Sequence, residues 1–375
     1  MRYDEPMRRA IPLVGIPLLG GCALLVDLSD LSSDAGKSDT GTDSAPAVDA
    51  GDADAPCADL SSDPANCGAC GHGCMGGGCA AGHCLPVVLA TSQNNPNGIT
   101  TDATFVYWVN HAGESVMKVA KTGGAPVPLA AGTGSSNLAT IAVDASWVYW
   151  TNPKTATTGN VFKVSKAGGN PIPLATGQNG PFYVVTDGSA AFFTNNPEGT
   201  VKRVSLDGGS PQTIASAQAN PSALVLTFTD AFFANFANGT PGQSTIAHVN
   251  KNGGSPSAAV SGQNGAAGLT TDGTILVWSS FGDSTVKKAD ISGANVVTLA
   301  SGQMNPATVA VDTSYVYWTT DSTPNGTVMR IPKSGGAPEP LATNLDSPLF
   351  IWVDAQAVYW TSSATANGTV TMLAK

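Results

Sequence analysis

The chain has 375 residues, rich in Gly (43) and Pro (25), with only 12% charged side chains and no long helical periodicity. That balance points to many short strands joined by turns and excludes a largely helical architecture. The net charge of −10 is unevenly placed: residues 1–22 carry +1, residues 23–56 carry −7 (eight Asp against Lys37), and residues 57–375 carry only −4. No basic stripe exists to neutralise a phosphate backbone, which excludes nucleic acid as a partner.

Residues 1–21 read as a signal peptide. Basic residues precede an eleven-residue apolar stretch, Ile11 to Gly21, too short to span a bilayer, which needs about 20 residues. Met7 is an alternative start. Leu19-Gly20-Gly21-Cys22 resembles the lipobox of bacterial lipoproteins. The resemblance implies that Cys22 is acylated and becomes the new N-terminus, holding the protein in the cell envelope at the outer membrane or cell surface. The other reading is an ordinary cleaved signal that happens to contain a cysteine. The segment 22–56 that follows is acidic, poor in aromatics and unable to bury enough surface to order itself. It is expected to act as a tether reaching roughly 30 to 35 Å.

Six of the seven cysteines fall within 57–84: Cys57, Cys67, Cys70, Cys74, Cys79 and Cys84. An even count, close spacing and an export signal predict three disulfides, with the pairing open. A zinc site built from Cys67, Cys70, His72 and His83 is the alternative. The run DPANCGACGHGCMGGGCAAGHC also resembles cysteine-rich modules of exported lipoproteins from myxobacteria, which says little about activity.

From residue 85 onward the chain repeats itself. The step DATFVYW (102–108) returns as DASWVYW, DGSAAFF, TFTDAFF, DGTILVW, DTSYVYW and DAQAVYW, at offsets of 42, 43, 40, 45, 40 and 42 residues. Such a period in a strand-rich sequence predicts an all-β, seven-bladed β-propeller of four-stranded blades over 85–375. Each repeat supplies a short apolar strand ending in Asp and then the aromatic strand. A third strand with a Val-x-basic step follows, then a GG turn and an outer strand opened by Pro. The last repeat stops after its third strand, while LPVVLATSQ (85–93) is an outer strand with no blade before it. An N-terminal strand at 85–92 completing the last blade would close the ring and remove its open edges.

VYWTN, VYWTT and VYWTS resemble the YWTD repeats of low-density-lipoprotein-receptor type propellers. The resemblance implies a propeller and a binding role. It departs from that pattern at the fourth motif position, Asn, Thr or Ser here in place of Asp, and in a count of seven blades where that family usually builds six.

The aromatic of each repeat (Trp108, Trp150, Phe193, Phe233, Trp278, Trp318, Trp360) reads as inter-blade core. The hairpin Asp reads as an acceptor of turn N–H groups. Lys118, Lys163, Arg203, His248, Lys288 and Arg330 read as ladder-edge residues with buried stems. Function should then lie in the variable loops that follow the aromatic strand and those that join blades. They form an uncharged Asn, Gln and Thr face, with Asn110, His111, Asn152, Asn195, Asn235, Asp283 and Asp321 as candidate ligand contacts. No G-x-S-x-G, H-E-x-x-H or phosphate-cradling loop is present, so no cofactor is expected. The leading reading is a surface lipoprotein with a non-catalytic binding or scaffolding propeller, its ligand a carbohydrate or a peptide. Two alternatives stand beside it. One is a metal-assisted, lactonase-type hydrolase using His111, Glu114, Glu198, Asp283, Asp321 and Asp346; the other is a structural subunit of an envelope assembly.

Overall fold

The computed structural model describes residues 59–131, 138–154, 158–237, 240–363 and 367–375. The signal segment, Cys22, the tether and Cys57 lie outside the described residues. Seven four-stranded antiparallel sheets form the blades of a β-propeller. Blade 1 runs Pro96–Thr101, Phe105–Asn110, Ser115–Ala120 and Val127–Ala130 from the inner to the outer strand. The inner strands of the next six blades begin at Ile141, Pro181, Pro221, Ala266, Pro306 and Pro348. Blade 7 (Pro348–Val353, Ala357–Ser362, Gly368–Ala374) takes its outer strand from Val87–Gln93, paired antiparallel through Val87↔Met372 and Ala90↔Val370. Across the seam between blades 7 and 1, the Trp352 indole N–H donates to Thr101 Oγ1 at 3.0 Å.

The repeated aromatics are the core. Trp108, Trp150, Phe193, Phe233, Trp278, Trp318 and Trp360 are all fully buried. Burying one such side chain contributes about 1.5 to 3 kcal/mol, and equal use in every blade makes it the main glue between sheets. The hydroxyl one position further along the strand adds a directed contact. Thr151 Oγ1 donates to Phe182 O at 2.7 Å, Ser279 Oγ to Ala307 O at 2.6 Å and Thr319 Oγ1 to Leu349 O at 2.8 Å, each on the inner strand of the following blade. The small hydroxyl in the VYWT motif is therefore an inter-blade hydrogen bond.

Glycine is required where blades approach closely. A Cβ on Gly159, Gly326 or Gly368 would sit 2.3, 2.2 or 2.2 Å from the Cδ of Pro181, Pro348 or Pro96, the first inner-strand residue of the next blade.

The cysteine segment carries Cys67–Cys79 and Cys74–Cys84 disulfides, and Cys70 is disulfide-bonded as well. It packs on the end of blade 7, where Met75 and Val87 lie against the apolar cluster containing Trp352 and Tyr359. His72 joins the two units: one ring nitrogen contacts Cys67 O and the other Lys375 O.

Candidate functional site

The propeller has two faces. One carries the loops after the second strand of each blade and the linkers between blades. These two sets are zipped by a recurring backbone bond: His111 N to Asn95 O (2.9 Å), Asn196 N to Gly180 O (3.1 Å), Phe281 N to Gly265 O (2.9 Å) and Asp321 N to Asn305 O (3.0 Å).

Asn110, Asn152, Asn195 and Asn235 are the last residues of the second strands of blades 1 to 4, and all four are buried. Three are held by a glutamine of the preceding blade, Gln93 and Gln178 at the end of its outer strand and Gln218 three residues past it. Asn110 Nδ2 donates to Gln93 Oε1 at 3.1 Å, Asn195 Nδ2 to Gln178 Oε1 at 3.2 Å and Asn235 Nδ2 to Gln218 Oε1 at 2.9 Å. Glutamines at this repeat position accept the indole N–H in several blades: Gln93 from Trp108 (3.1 Å), Gln263 from Trp278 (3.3 Å) and Gln303 from Trp318 (2.9 Å). In blade 7 Leu345 stands at this position, and Trp360 Nε1 has no hydrogen-bond partner among the described residues. Among the described residues the Oδ1 atoms of Asn110, Asn152, Asn195 and Asn235 are buried without a partner, as is Asn152 Nδ2. A buried amide oxygen left so retains an unspent acceptor on this face.

Four titratable side chains of this face are engaged locally. Glu198 pairs with Lys202 at 2.9 Å and Asp283 with Lys287 at 2.7 Å. Burial pushes the Asp283 carboxyl up, but the Lys287 ammonium and the Asn264 amide outweigh it and hold the group below its ordinary value. His111 Nδ1 lies 3.0 Å from Leu138 O, Asp346 Oδ1 accepts from Thr323 Oγ1 at 3.0 Å, and Asp321 is buried. These acids do not converge. Among the described residues the sole trio of potential metal ligands within 4.8 Å of one another is the sulfurs of Cys67, Cys74 and Cys84. Disulfide bonding already consumes them, and it equally removes Cys67 and Cys70 from the zinc alternative.

The opposite face carries the hairpins between first and second strands and the GG turns between third and fourth. Here the repeated charges form a latch between neighbouring blades. Asp102 Oδ1 accepts the N–H groups of Thr104 and Phe105, both at 2.8 Å; Oδ2 accepts the Tyr107 hydroxyl at 2.7 Å and Lys166 Nζ of blade 2 at 2.8 Å. Equivalent pairs are Asp187–Lys251 (2.8 Å), Asp312–Lys375 (2.7 Å), Asp354–Lys121 (2.6 Å) and Asp272–Lys333. Burial alone would raise the Asp102, Asp187 and Asp272 carboxyls, yet their lysines and turn N–H groups hold all three at about 2.

A second arm starts from the basic residue of the third strand, which reaches a carbonyl in the next blade's turn. Lys118 Nζ donates to Lys166 O at 2.6 Å, Lys163 Nζ to Leu206 O at 2.5 Å and Arg203 Nη1 to Lys251 O at 3.3 Å; Lys288 Nζ donates likewise to Lys333 O. Lys118, Lys163, Arg203 and Lys288 are thus cross-blade donors rather than ladder-edge residues, whereas Arg330 and His248 stay on their own blade's outer ladder, against Glu339 and Ser257.

One interface lacks both arms. Between blades 4 and 5, Thr227 replaces the hairpin Asp, Ile291 replaces the turn Lys, and the shorter His248 replaces the third-strand base. Thr227 keeps the turn through its hydroxyl, which accepts Asp230 N–H at 3.0 Å. A cavity of about 590 Å³ opens there, lined by Leu226, Phe228, Phe232, Ile291, Asp230 and Asp272 among others. His248 lies at its edge, stacked on Phe232 at 5.1 Å with Nε2 2.9 Å from Ser257 Oγ. Its Nδ1 is 3.9 Å from Asp230 Oδ1, beyond hydrogen-bond reach, so Ser257, His248 and Asp230 do not form a nucleophilic triad. A smaller cavity of about 350 Å³, lined by Asp102, Asp144, Asp187 and Lys166 among others, occupies the same face.

Fold and faces together define a seven-bladed β-propeller with an N-terminal disulfide-linked module. No protein-family description matches the chain, and no curated protein matches it. Among solved structures it is similar to virginiamycin B lyase from Staphylococcus aureus, at 13% identity and TM-score 0.64, covering 78% of this chain and 98% of that one. A streptogramin B lyase structure is similar at 15% identity and TM-score 0.64, covering 77% and 97%. A chain of a nidogen/laminin complex is similar at 16% identity and TM-score 0.53, covering 65% and 94%. At such identities the similarity shows the fold alone.

Proposed function

We propose that this protein is a non-catalytic binding propeller displayed at the surface of the cell envelope. In this reading acylated Cys22 anchors it, residues 22–56 space it from the membrane, and the disulfide module caps blade 7. The loop face meets a carbohydrate or a peptide. One observation supports binding over catalysis: Glu198 and Asp283 are neutralised locally by Lys202 and Lys287, and among the described residues no three acids or histidines of that face come together. Catalysis by paired carboxylates or a bound metal would need those groups to face a common point. The exposed Asn94 and Asn305 and the half-buried Asn196 of the same loops supply amide groups suited to sugar hydroxyls or peptide N–H groups.

A glycan and peptide array probed with the intact mature protein tests the reading, and an array without hits counts against it. The metal-assisted enzyme is the second reading, favoured by two similar structures named as lyases and by His111 and Glu114 on the loop face. It requires the melting temperature to respond to millimolar calcium or to a chelator. The third reading, a subunit of an envelope assembly, requires a stoichiometric partner that co-purifies.

A further inference from the structure

We infer that the cleft between blades 4 and 5 is a binding site for a small organic ammonium compound, an amine on an apolar body. This site is on the face opposite the loops and stands independently of the function proposed above.

The argument begins from the latch. At five interfaces a lysine ammonium from one blade lies against the hairpin carboxylate of its neighbour. At two of them it also lies within 6 Å of the motif tyrosine ring: Lys166 Nζ is 5.8 Å from the Tyr107 centroid and Lys121 Nζ 5.6 Å from that of Tyr359. A carboxylate and an aromatic face together are what a desolvated ammonium favours. The interface between blades 4 and 5 keeps the aromatic, as Phe232; the hairpin carboxylate is replaced by Thr227, but Asp230, three residues on, and Asp272 of blade 5 line the space. This interface has lost the lysine that would fill the space, because Ile291 stands in its place. Among the described residues neither Lys nor Arg lines the cavity.

Every other interface retains at least one arm of the latch. Blades 2 and 3 keep Lys163 to Leu206 O, blades 6 and 7 keep Asp312–Lys375, and blades 7 and 1 keep Lys121–Asp354. The loss of both arms at one place is therefore a local departure from the repeat. The space left, about 590 Å³, lies in the range of small-molecule sites. Its floor is apolar, from Leu226, Phe232 and Ile291, and Phe228 stands at its rim with 82% of its surface exposed. Lys333 already engages Asp272, which leaves Asp230 as the carboxylate for an incoming cation. Its Oδ2 accepts from the Thr229 hydroxyl, and its Oδ1 lies 3.9 Å from the His248 ring nitrogen.

The test is calorimetric titration of the intact mature protein with phenethylammonium and with its neutral counterpart 2-phenylethanol. The ammonium is expected to bind more tightly. Asp230→Asn should weaken it by about fivefold, the scale of one partly exposed ion pair, and leave the alcohol unchanged. Thr227→Asp with Ile291→Lys, which rebuilds the latch found elsewhere, should abolish binding of both while circular dichroism and melting remain those of a folded propeller. Equal affinity for amine and alcohol, no binding of either, or full binding by the folded latch variant would each overturn the inference.

Discussion

Breaking the latch at the seam where the chain's first and last blades meet should loosen the whole ring. Lys121 and Asp354 form that latch at 2.6 Å, with side chains only 7% and 19% exposed. Asp354 Oδ1 also accepts the Gln356 and Ala357 N–H groups at 2.8 and 2.9 Å. Lys121→Met leaves those two bonds but strips the carboxylate of its counter-charge. One charge-assisted bond in so enclosed a place is worth about 1.5 to 3 kcal/mol. Asp354→Asn should cost more, about 3 kcal/mol, because a nearly buried ammonium is left without a counter-charge. The double variant should recover part of the loss, giving a coupling of about 1 to 2 kcal/mol in a double-mutant cycle. Urea unfolding of the mature protein supplies the four free energies. Arg330–Glu339, with Glu339 54% exposed, is the internal control and should show about 0.5 kcal/mol or less. A coupling at Lys121–Asp354 no larger than the control's would refute the latch as a closing element.

Three further outcomes follow from the same geometry. Deleting residues 85–92 removes most of the strand that pairs with Gly368–Ala374, together with buried Leu89 and Ala90; the exposed edge should lower the melting temperature and promote aggregation, as light scattering will report. Gly326→Ala drives a Cβ to 2.2 Å from Pro348 Cδ and should cost about 1 to 3 kcal/mol in urea titration. The carboxyls of Asp102, Asp187 and Asp272 are held at about 2 in the folded state, below the ordinary value near 3.9. Their contribution is therefore fully present above about pH 4 and is lost as pH falls towards 2. The unfolding free energy measured from pH 6 to pH 2 should drop in that window, and combined Lys166→Met, Lys251→Met and Lys333→Met should flatten the drop.

The repeat made most of the architecture legible before any coordinate. Seven aromatics spaced 40 to 45 residues apart are all buried between sheets, because equivalent positions in a closed ring meet equivalent neighbours. The hairpin Asp was readable as a turn acceptor, but its lysine was not, since the two are 61 to 64 residues apart where they fall on consecutive repeats. Only the ring brings them together. The candidate Asn residues read as loop ligands because they follow the aromatic motif and are polar. The strand in fact continues through them, and a glutamine at or just past the end of the previous blade's outer strand holds three of them. A signal for that glutamine existed: Gln93, Gln263 and Gln303 each stand fifteen residues before the tryptophan they bind. The cleft between blades 4 and 5 could not be read in advance, because it arises from three substitutions, Thr227, His248 and Ile291, that converge only in space.

Hydrogen–deuterium exchange of the mature protein, resolved hairpin by hairpin, tests the central claim most directly: the blades are latched in sequence and one interface is left open for a ligand. The hairpin around Thr227–Asp230 should exchange fastest of the seven, and phenethylammonium should slow it alone. Uniform protection across all seven hairpins, unchanged by the amine, would contradict the account.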